Sequence, residues 1–158
     1  MRRSERAITD MDDIADVVEK CPIIRLGLSD DCVPYIVPLN FGYSYDDGKL
    51  TFYFHGAKEG RKVDILKKSP RVCFEMDHSF ELKTGAEACQ WSAYYESVIG
   101  YGNASFVEDD NEKIAAMNII MKRYGFEGVP HYTPAALSRV LICKIEVDTI
   151  TGKRNLPA

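Results

Sequence analysis

Residues 33–44 read Val33-Pro34-Tyr35-Ile36-Val37-Pro38-Leu39-Asn40-Phe41-Gly42-Tyr43-Ser44. Val33, Tyr35, Val37, Leu39, Phe41 and Tyr43 alternate with Pro34, Ile36, Pro38, Asn40, Gly42 and Ser44. A period of two puts successive side chains on opposite faces, so the run predicts one long, half-buried strand. Pro34 and Pro38 have no N–H to give to a ladder, which places parts of the strand at a sheet edge or a bulge. Asp46-Asp47-Gly48-Lys49 follows as a hairpin turn into a strand carrying Leu50, Phe52 and Phe54.

The pattern repeats outward from this hairpin. Upstream, Ile24, Leu26 and Leu28 alternate as a strand, and Ser29-Asp30-Asp31 is its turn. Before it, Met11, Ile14, Val17, Val18 and Cys21 form a helical stripe, with Thr9 as the expected N-cap. Downstream, Val63, Ile65 and Leu66 fit a short helix closed by Ser69-Pro70. Val72, Phe74 and Met76 form a fourth strand, Asp77 to Ser92 reads as a loop, and Tyr94 to Val107 is a fifth strand. Asp109 caps a helix striped by Ile114, Met117, Ile120, Met121 and Tyr124, and Leu141, Cys143, Ile145 and Val147 end the series as a sixth strand. Six short, mostly hairpin-linked strands with three helices predict a small, mainly β, antiparallel barrel with flanking helices.

The length of 158 residues predicts a single domain over 1–158, and 46% hydrophobic with 28% charged residues is ordinary globular usage. A chain of this size buries roughly two thirds of its unfolded surface, enough for a core without staples. No apolar run reaches the roughly 20 residues of a membrane span, and the basic start Met1-Arg2-Arg3-Ser4-Glu5-Arg6 lacks the apolar region of a signal peptide. Five cysteines without a CxxC pair indicate reduced thiols, and the expected location is cytoplasmic. Cys73 and Cys143 are expected in the core and Cys89 in a polar loop. His55, His78 and His131 lack metal-site spacing, so no metal is expected.

The net charge of −4 argues against nucleic acid and anionic membranes as partners. That charge is uneven. From Lys58 to Arg71 stand six bases and two acids, a +4 segment inside a remainder of −8. A local cationic patch in an acidic chain suits a small anion. Within it, His55-Gly56-Ala57-Lys58-Glu59-Gly60-Arg61-Lys62 ends a strand, passes through an irregular loop and starts a helix. Free N–H groups at a helix start, the positive end of its dipole and adjacent Arg61 and Lys62 make an anion site; a solvated basic helix start reads equally from these residues.

Three segments carry a resemblance: Tyr35-Ile36-Val37-Pro38-Leu39-Asn40; Tyr53 to Lys62; and Ser69-Pro70-Arg71-Val72-Cys73-Phe74-Glu75. With Tyr95 to Gly102 and Ile150-Thr151-Gly152-Lys153, they resemble the flavin-binding split barrels of the pyridoxamine 5′-phosphate oxidase superfamily, its 5-nitroimidazole-resistance-like branch in particular. The resemblance implies a six-stranded antiparallel split β-barrel, Greek-key-like, and a homodimer with FMN at the subunit interface; FAD would also fit. By matching position, Arg61 and Lys62 would hold the phosphate, with Gly60 before them. Val37, Pro38, Leu39 and Asn40 would lie along the flavin ring, His55, Gly56 and Ala57 would line the ring and ribityl side, and Ser97 and Val98 would approach the flavin. The tail Arg154-Asn155-Leu156-Pro157-Ala158 lacks the Trp and Arg motif of the true oxidases.

The implied activity is an FMN-dependent oxidoreductase, nitroreductase-like, passing electrons from NAD(P)H or another donor to a small-molecule acceptor, with His55 as a catalytic proton donor. Two alternatives share the barrel: a flavin store or sensor without turnover, and a haem binder with His55 or His131 as axial ligand. Trp91, Tyr94 and Tyr95 are expected as core or dimer contacts, and Asp77-His78-Ser79 as loop polarity.

Overall fold

Alternation and turn chemistry account for most of the architecture. The computed structural model describes residues 3–157; Met1, Arg2 and Ala158, the outer ends of the expected 1–158 domain and of the basic N-terminal run, lie outside the described residues. The strands are β1 (Ala7–Ile8), β2 (Ile24–Asp30), β3 (Val33–Leu39), β4 (Gly42–Asp46), β5 (Lys49–Gly56), β6 (Arg71–Lys83), β7 (Ser92–Val107) and β8 (Leu141–Asn155). The helices are α1 (Met11–Lys20), α2 (Arg61–Lys68), α3 (Asp110–Arg123) and a short α4 (Pro134–Leu137). Among the described residues, none of them is long and apolar enough to cross a membrane.

All strand pairs are antiparallel, in the order β3-β2-β6-β7-β8-β5-β4, with β1 added beside β8. The two ends of that order, β3 and β4, are separated in the chain only by Asn40 and Phe41. The three Cα steps from Leu39 to Gly42 span at most about 11 Å, so the sheet must curl until its edges approach. The edges do not pair, which leaves the barrel split along β3 and β4. The fold is therefore mainly β, with flanking helices, as expected.

Inside the curl, Phe52 packs edge-on against Phe41 at 5.7 Å and against Phe74 at 5.0 Å between ring centroids. All three rings are fully buried, and each removes roughly 150–250 Å² from water. Helix α1 closes one end of the barrel with Ile14, Val17 and Val18, which its 3.6-residue period brings to a single face.

Several expectations need correction. The run 33–44 is two strands at opposite sheet edges, so eight strands replace six once β1 is counted. Asp10, not Thr9, caps α1: its carboxylate accepts from the N–H of Asp12 at 2.8 Å. Of the segment expected as a loop from Asp77 to Ser92, the first part to Lys83 is strand, and residues 84–91 form the loop. β6 runs to Lys83, pairs with β7 through Lys83 opposite Ser92, and passes a bulge between His78 and Glu81. Neighbouring β2 pairs with β6 only at residues 73–75, and β8 meets β7 only from Tyr95 onward, so β6 and β7 project as a two-stranded arm. Cys73 is half-exposed rather than core, whereas Cys143 is buried and Cys89 exposed, as expected.

Candidate functional site

β5 ends at Gly56 and α2 begins at Arg61, so the four residues between them form the loop read as an anion site. Gly60 is the N-cap of α2 at φ 119°, a conformation costly for any residue with a Cβ, and it supplies no side-chain cap. Its carbonyl accepts from Val63 N at 2.9 Å and Asp64 N at 3.1 Å. The N–H groups of Arg61 and Lys62 find no acceptor within the helix, as at any helix start. Two cations thus stand at the positive end of the helix dipole.

The Arg61 guanidinium lies 4.7 Å from the centroid of the Tyr35 ring, and its Nε donates to Asp30 Oδ2 at 3.3 Å. Asp30 and Tyr35 flank the β2–β3 turn, so Arg61 is tethered to the strand read as the ring-side wall. Among the described residues its two Nη nitrogens have no acceptor, which leaves the fork open for a bidentate anion. The Lys62 amine sits 5.9 Å from the Phe54 ring centroid and directly over Gly56, where a Cβ would come within 2.9 Å of Nζ. Gly56 is therefore a cradle that a side chain would fill.

His55 pairs with Ile142 at the end of β5 and is exposed, as are Ala57 and Gly60. Val37 and Leu39 are half-buried on β3, with Pro38 and Asn40 exposed beside them. β3 pairs only with β2, so this side of the site is a free edge. Residues 55–62 and the β2–β3 turn are thus brought together and are open to solvent.

Ser97 and Val98 are not part of that cluster. They lie on β7, opposite Asp77 and Met76 of β6, and β2 and β6 separate them from β3. Three strand spacings amount to about 14 Å along the sheet. Val98 is completely buried in its own core, so its side chain is committed to packing.

Sequence reasoning missed Tyr35 and Asp30 as partners of Arg61, because only the sheet order brings them to α2. It also missed a polar cluster around the buried Glu96. His78 stands opposite Glu96 in register, its Nε2 3.1 Å from Oε2 but not aligned for a hydrogen bond, and Lys20 Nζ lies 3.5 Å from the same oxygen. A loop reading of residues 77–92 hid that register.

Two features elsewhere are structural. A hollow of about 520 Å³ lies between α1, β4 and α3. Three of its polar groups are engaged with one another: Tyr43 donates to Glu19 at 2.9 Å, and Arg123 bridges to Glu19 at 2.8 Å. The buried thiols of Cys21 and Cys143 are pushed up to about 12 by desolvation, which keeps both protonated and unreactive at neutral pH.

The family profile described as Pyridoxamine 5′-phosphate oxidase matches residues 10–154. A crystal structure from Bacteroides thetaiotaomicron, of a protein provisionally assigned to 5-nitroimidazole antibiotic resistance, is 32% identical; the match covers 93% of this chain and 85% of that one, with a TM-score of 0.82. A FAD and heme binding protein from Mycobacterium smegmatis shares the fold at 16% identity and TM-score 0.85, covering 96% of this chain and 74% of that one. An uncharacterized protein of Rhizobium meliloti is 26% identical over 147 residues, 87% of each chain.

Proposed function

This chain belongs to the pyridoxamine 5′-phosphate oxidase family, and from that premise we propose that it is an FMN-dependent oxidoreductase of the nitroimidazole-resistance type, acting as a homodimer. The observation that carries the reading is the Arg61–Lys62 pair at the start of α2, held over Tyr35 and Gly56. A mononucleotide presents one phosphate, and this site offers one forked cation, one point cation and a helix start to receive it. The 32% identity to the Bacteroides protein supports the nitroimidazole-resistance branch, and relatives of this fold that carry FAD or haem support flavin use in general.

The residues divide the work. Arg61 binds the phosphate through its free Nη nitrogens, while Asp30 and Tyr35 fix its direction. Lys62 adds charge over Gly56, where the bare backbone leaves room. Val37, Pro38, Leu39 and Asn40 offer a flat strand for a tricyclic ring, and His55 is placed at the strand end to hand over a proton. Ser97 and Val98, remote in one chain, reach the flavin from the partner subunit, Val98 through its backbone. When bound, the flavin supplies the two-electron chemistry that carries a hydride from NAD(P)H or another donor to a small acceptor. No side chain is required as a nucleophile.

The test is direct. Purified protein mixed with FMN should show a perturbed flavin absorption band, and Arg61→Ala with Lys62→Ala together should weaken binding by roughly a hundredfold to ten-thousandfold, since each charged contact is worth roughly 1.5–3 kcal/mol. Reduction by NAD(P)H without air, then reoxidation by a nitroaromatic compound, would establish turnover. A chain that leaves the FMN spectrum unchanged would defeat the proposal.

A further inference from the structure

The stretch from Tyr124 to Leu141 crosses the mouth of the candidate site. At its start, the hydroxyl of Tyr124, the cap of α3, accepts from Phe41 N at 3.2 Å and donates to the Pro22 carbonyl at 2.8 Å. α3 therefore ends against the residue that follows Asn40. At the far end of the stretch, Leu141 pairs with Gly56 and Ile142 with His55. Gly42 stands opposite Tyr53, and continuing that register two steps sets Asn40 at the level of His55. One end of the stretch is thus fixed beside each wall of the mouth.

The stretch also lies on the side to which His55 points. Side chains two apart on a strand share a face, so His55 points with Tyr53. Tyr53, Met117 of α3 and Val140 pack against one small core around Ile142. α3 and the chain that follows it therefore cover this face of β5 up to His55.

Two pins bracket a bare segment within the stretch. Gly125, at φ 80°, and Phe126 close α3: their N–H groups donate to the carbonyls of Lys122 at 3.1 Å and Met121 at 3.0 Å. Tyr132 turns back to α3, its hydroxyl donating to Asn118 Oδ1 at 3.1 Å. Among the described residues, no backbone hydrogen bond holds residues 127–132, which lie outside every helix and strand. Val129 at the tip is 92% exposed, and Phe126 at the first pin 45%. Gly128, beside the tip, takes φ 93°. A segment with so few bonds opens and closes at little cost, and an apolar tip in water gains from any contact that covers it.

We propose that residues 127–131 are a lid, which closes over the mouth between Asn40 and His55 and lays Val129 on the bound acceptor. The pins at Phe126 and Tyr132 are its hinges. An apolar tip selects an uncharged aromatic acceptor over a carboxylated one of the same size, because a carboxylate beneath Val129 loses water and gains no partner. The lid rests on the flavin reading above, which sets the reacting ring between Asn40 and His55.

The test uses the full chain loaded with oxidised FMN, with para-nitrotoluene as the probe and para-nitrobenzoate as its charged comparator. Amide exchange over residues 127–132, followed by mass spectrometry, should slow several-fold with para-nitrotoluene and less with para-nitrobenzoate. Val129→Ser, a change at a bare position, should leave the circular dichroism spectrum and FMN affinity unchanged. It should bind para-nitrotoluene roughly tenfold more weakly in a flavin-absorption titration, a loss of the size one apolar side chain carries. Its affinity for para-nitrobenzoate should not fall, whereas a valine that merely propped the loop would change both compounds alike.

The ways of failing are separable. A chain that binds no FMN defeats the flavin reading, and the lid falls with it. FMN binding with exchange over 127–132 unchanged at saturating para-nitrotoluene overturns the lid and leaves the flavin reading standing. Loaded protein that does not take up para-nitrotoluene overturns the acceptor class. Val129→Ser with undiminished affinity for it, or with equal losses for both compounds, overturns the role of the tip.

Discussion

Gly100 and Gly56 both stand where a Cβ would meet a neighbour, and substitution separates them. At Gly100 an added Cβ would come 2.3 Å from Phe74 Cζ and 2.5 Å from the Thr149 carbonyl, against a buried ring and a backbone that cannot retreat. Gly100→Ala should cost about 1–3 kcal/mol, a typical overpacking penalty, seen as a melting temperature lower by roughly 3–10 °C. At Gly56 the atom met is the Lys62 amine, the far end of a flexible side chain. Gly56→Ala should leave stability within about 0.5 kcal/mol and weaken FMN several-fold, because the amine must swing off the anion site. Equal melting losses in both variants would contradict this division. A glycine inside a strand pattern signals a bend or a close approach, and at Gly100 the structure shows the close approach. The Gly56–Lys62 contact leaves no such trace, because it depends on how β5 hands over to α2.

Arg123 ends α3, yet its guanidinium serves α1. It donates to the carbonyls of Val18 at 2.9 Å, Glu19 at 3.1 Å and Cys21 at 2.6 Å, and lies 4.3 Å from the Phe41 ring centroid. The last carbonyls of a helix have no intrahelical donor, so one forked cation here caps α1 while balancing the dipole of α3. Arg123→Met should destabilise by about 2–4 kcal/mol, because it bares the partly buried Cys21 carbonyl, takes one donor from that of Val18 and leaves the Glu19 carboxylate without its cation. Arg123→Lys should recover only part of that, since an ammonium cannot, as a planar fork does, give one nitrogen to these carbonyls and the other to the Glu19 carboxylate. Urea unfolding reads both effects; a lysine variant as stable as the original would show that charge alone matters. Helix starts were easier to read than this helix end. Asp109 was recognisable as the cap of α3 and accepts from Glu112 N at 2.9 Å. The cap of α1 was displaced by one residue because Thr9 and Asp10 are both good caps. A cap donated from residue 123 to residues 18–21 has no local signature at all.

At the scale of the molecule, the barrel closes where the sequence pattern gives no warning. Alternation runs through Asn40-Phe41-Gly42 without a break, yet Phe41 and Gly42 are both buried and the strand changes edge there. Gly42 has no side chain to betray the fault in phase, so two strands look like one. The enclosed core also sets a limit in pH. Burial raises the thiols of Cys21 and Cys143 from 9.0 to about 12. Burial, with the bond to Glu19, raises the Tyr43 phenol from 10.0 to about 12. In each case the folded chain holds a proton that the unfolded chain releases, so the unfolded state binds fewer protons and stability falls as pH rises. Their contribution is complete below about pH 9, declines as the unfolded groups ionise, and is gone by about pH 12. The urea midpoint should therefore drop steadily from pH 9 upward. Replacing both buried cysteines with Ala should lower stability at pH 8 through lost packing but reduce the slope around pH 9, where the unfolded thiols are half ionised and the phenol is still mostly protonated. A slope that persists unchanged without the two thiols would mean that alkaline unfolding begins elsewhere, in the lysine and arginine pairs at the surface.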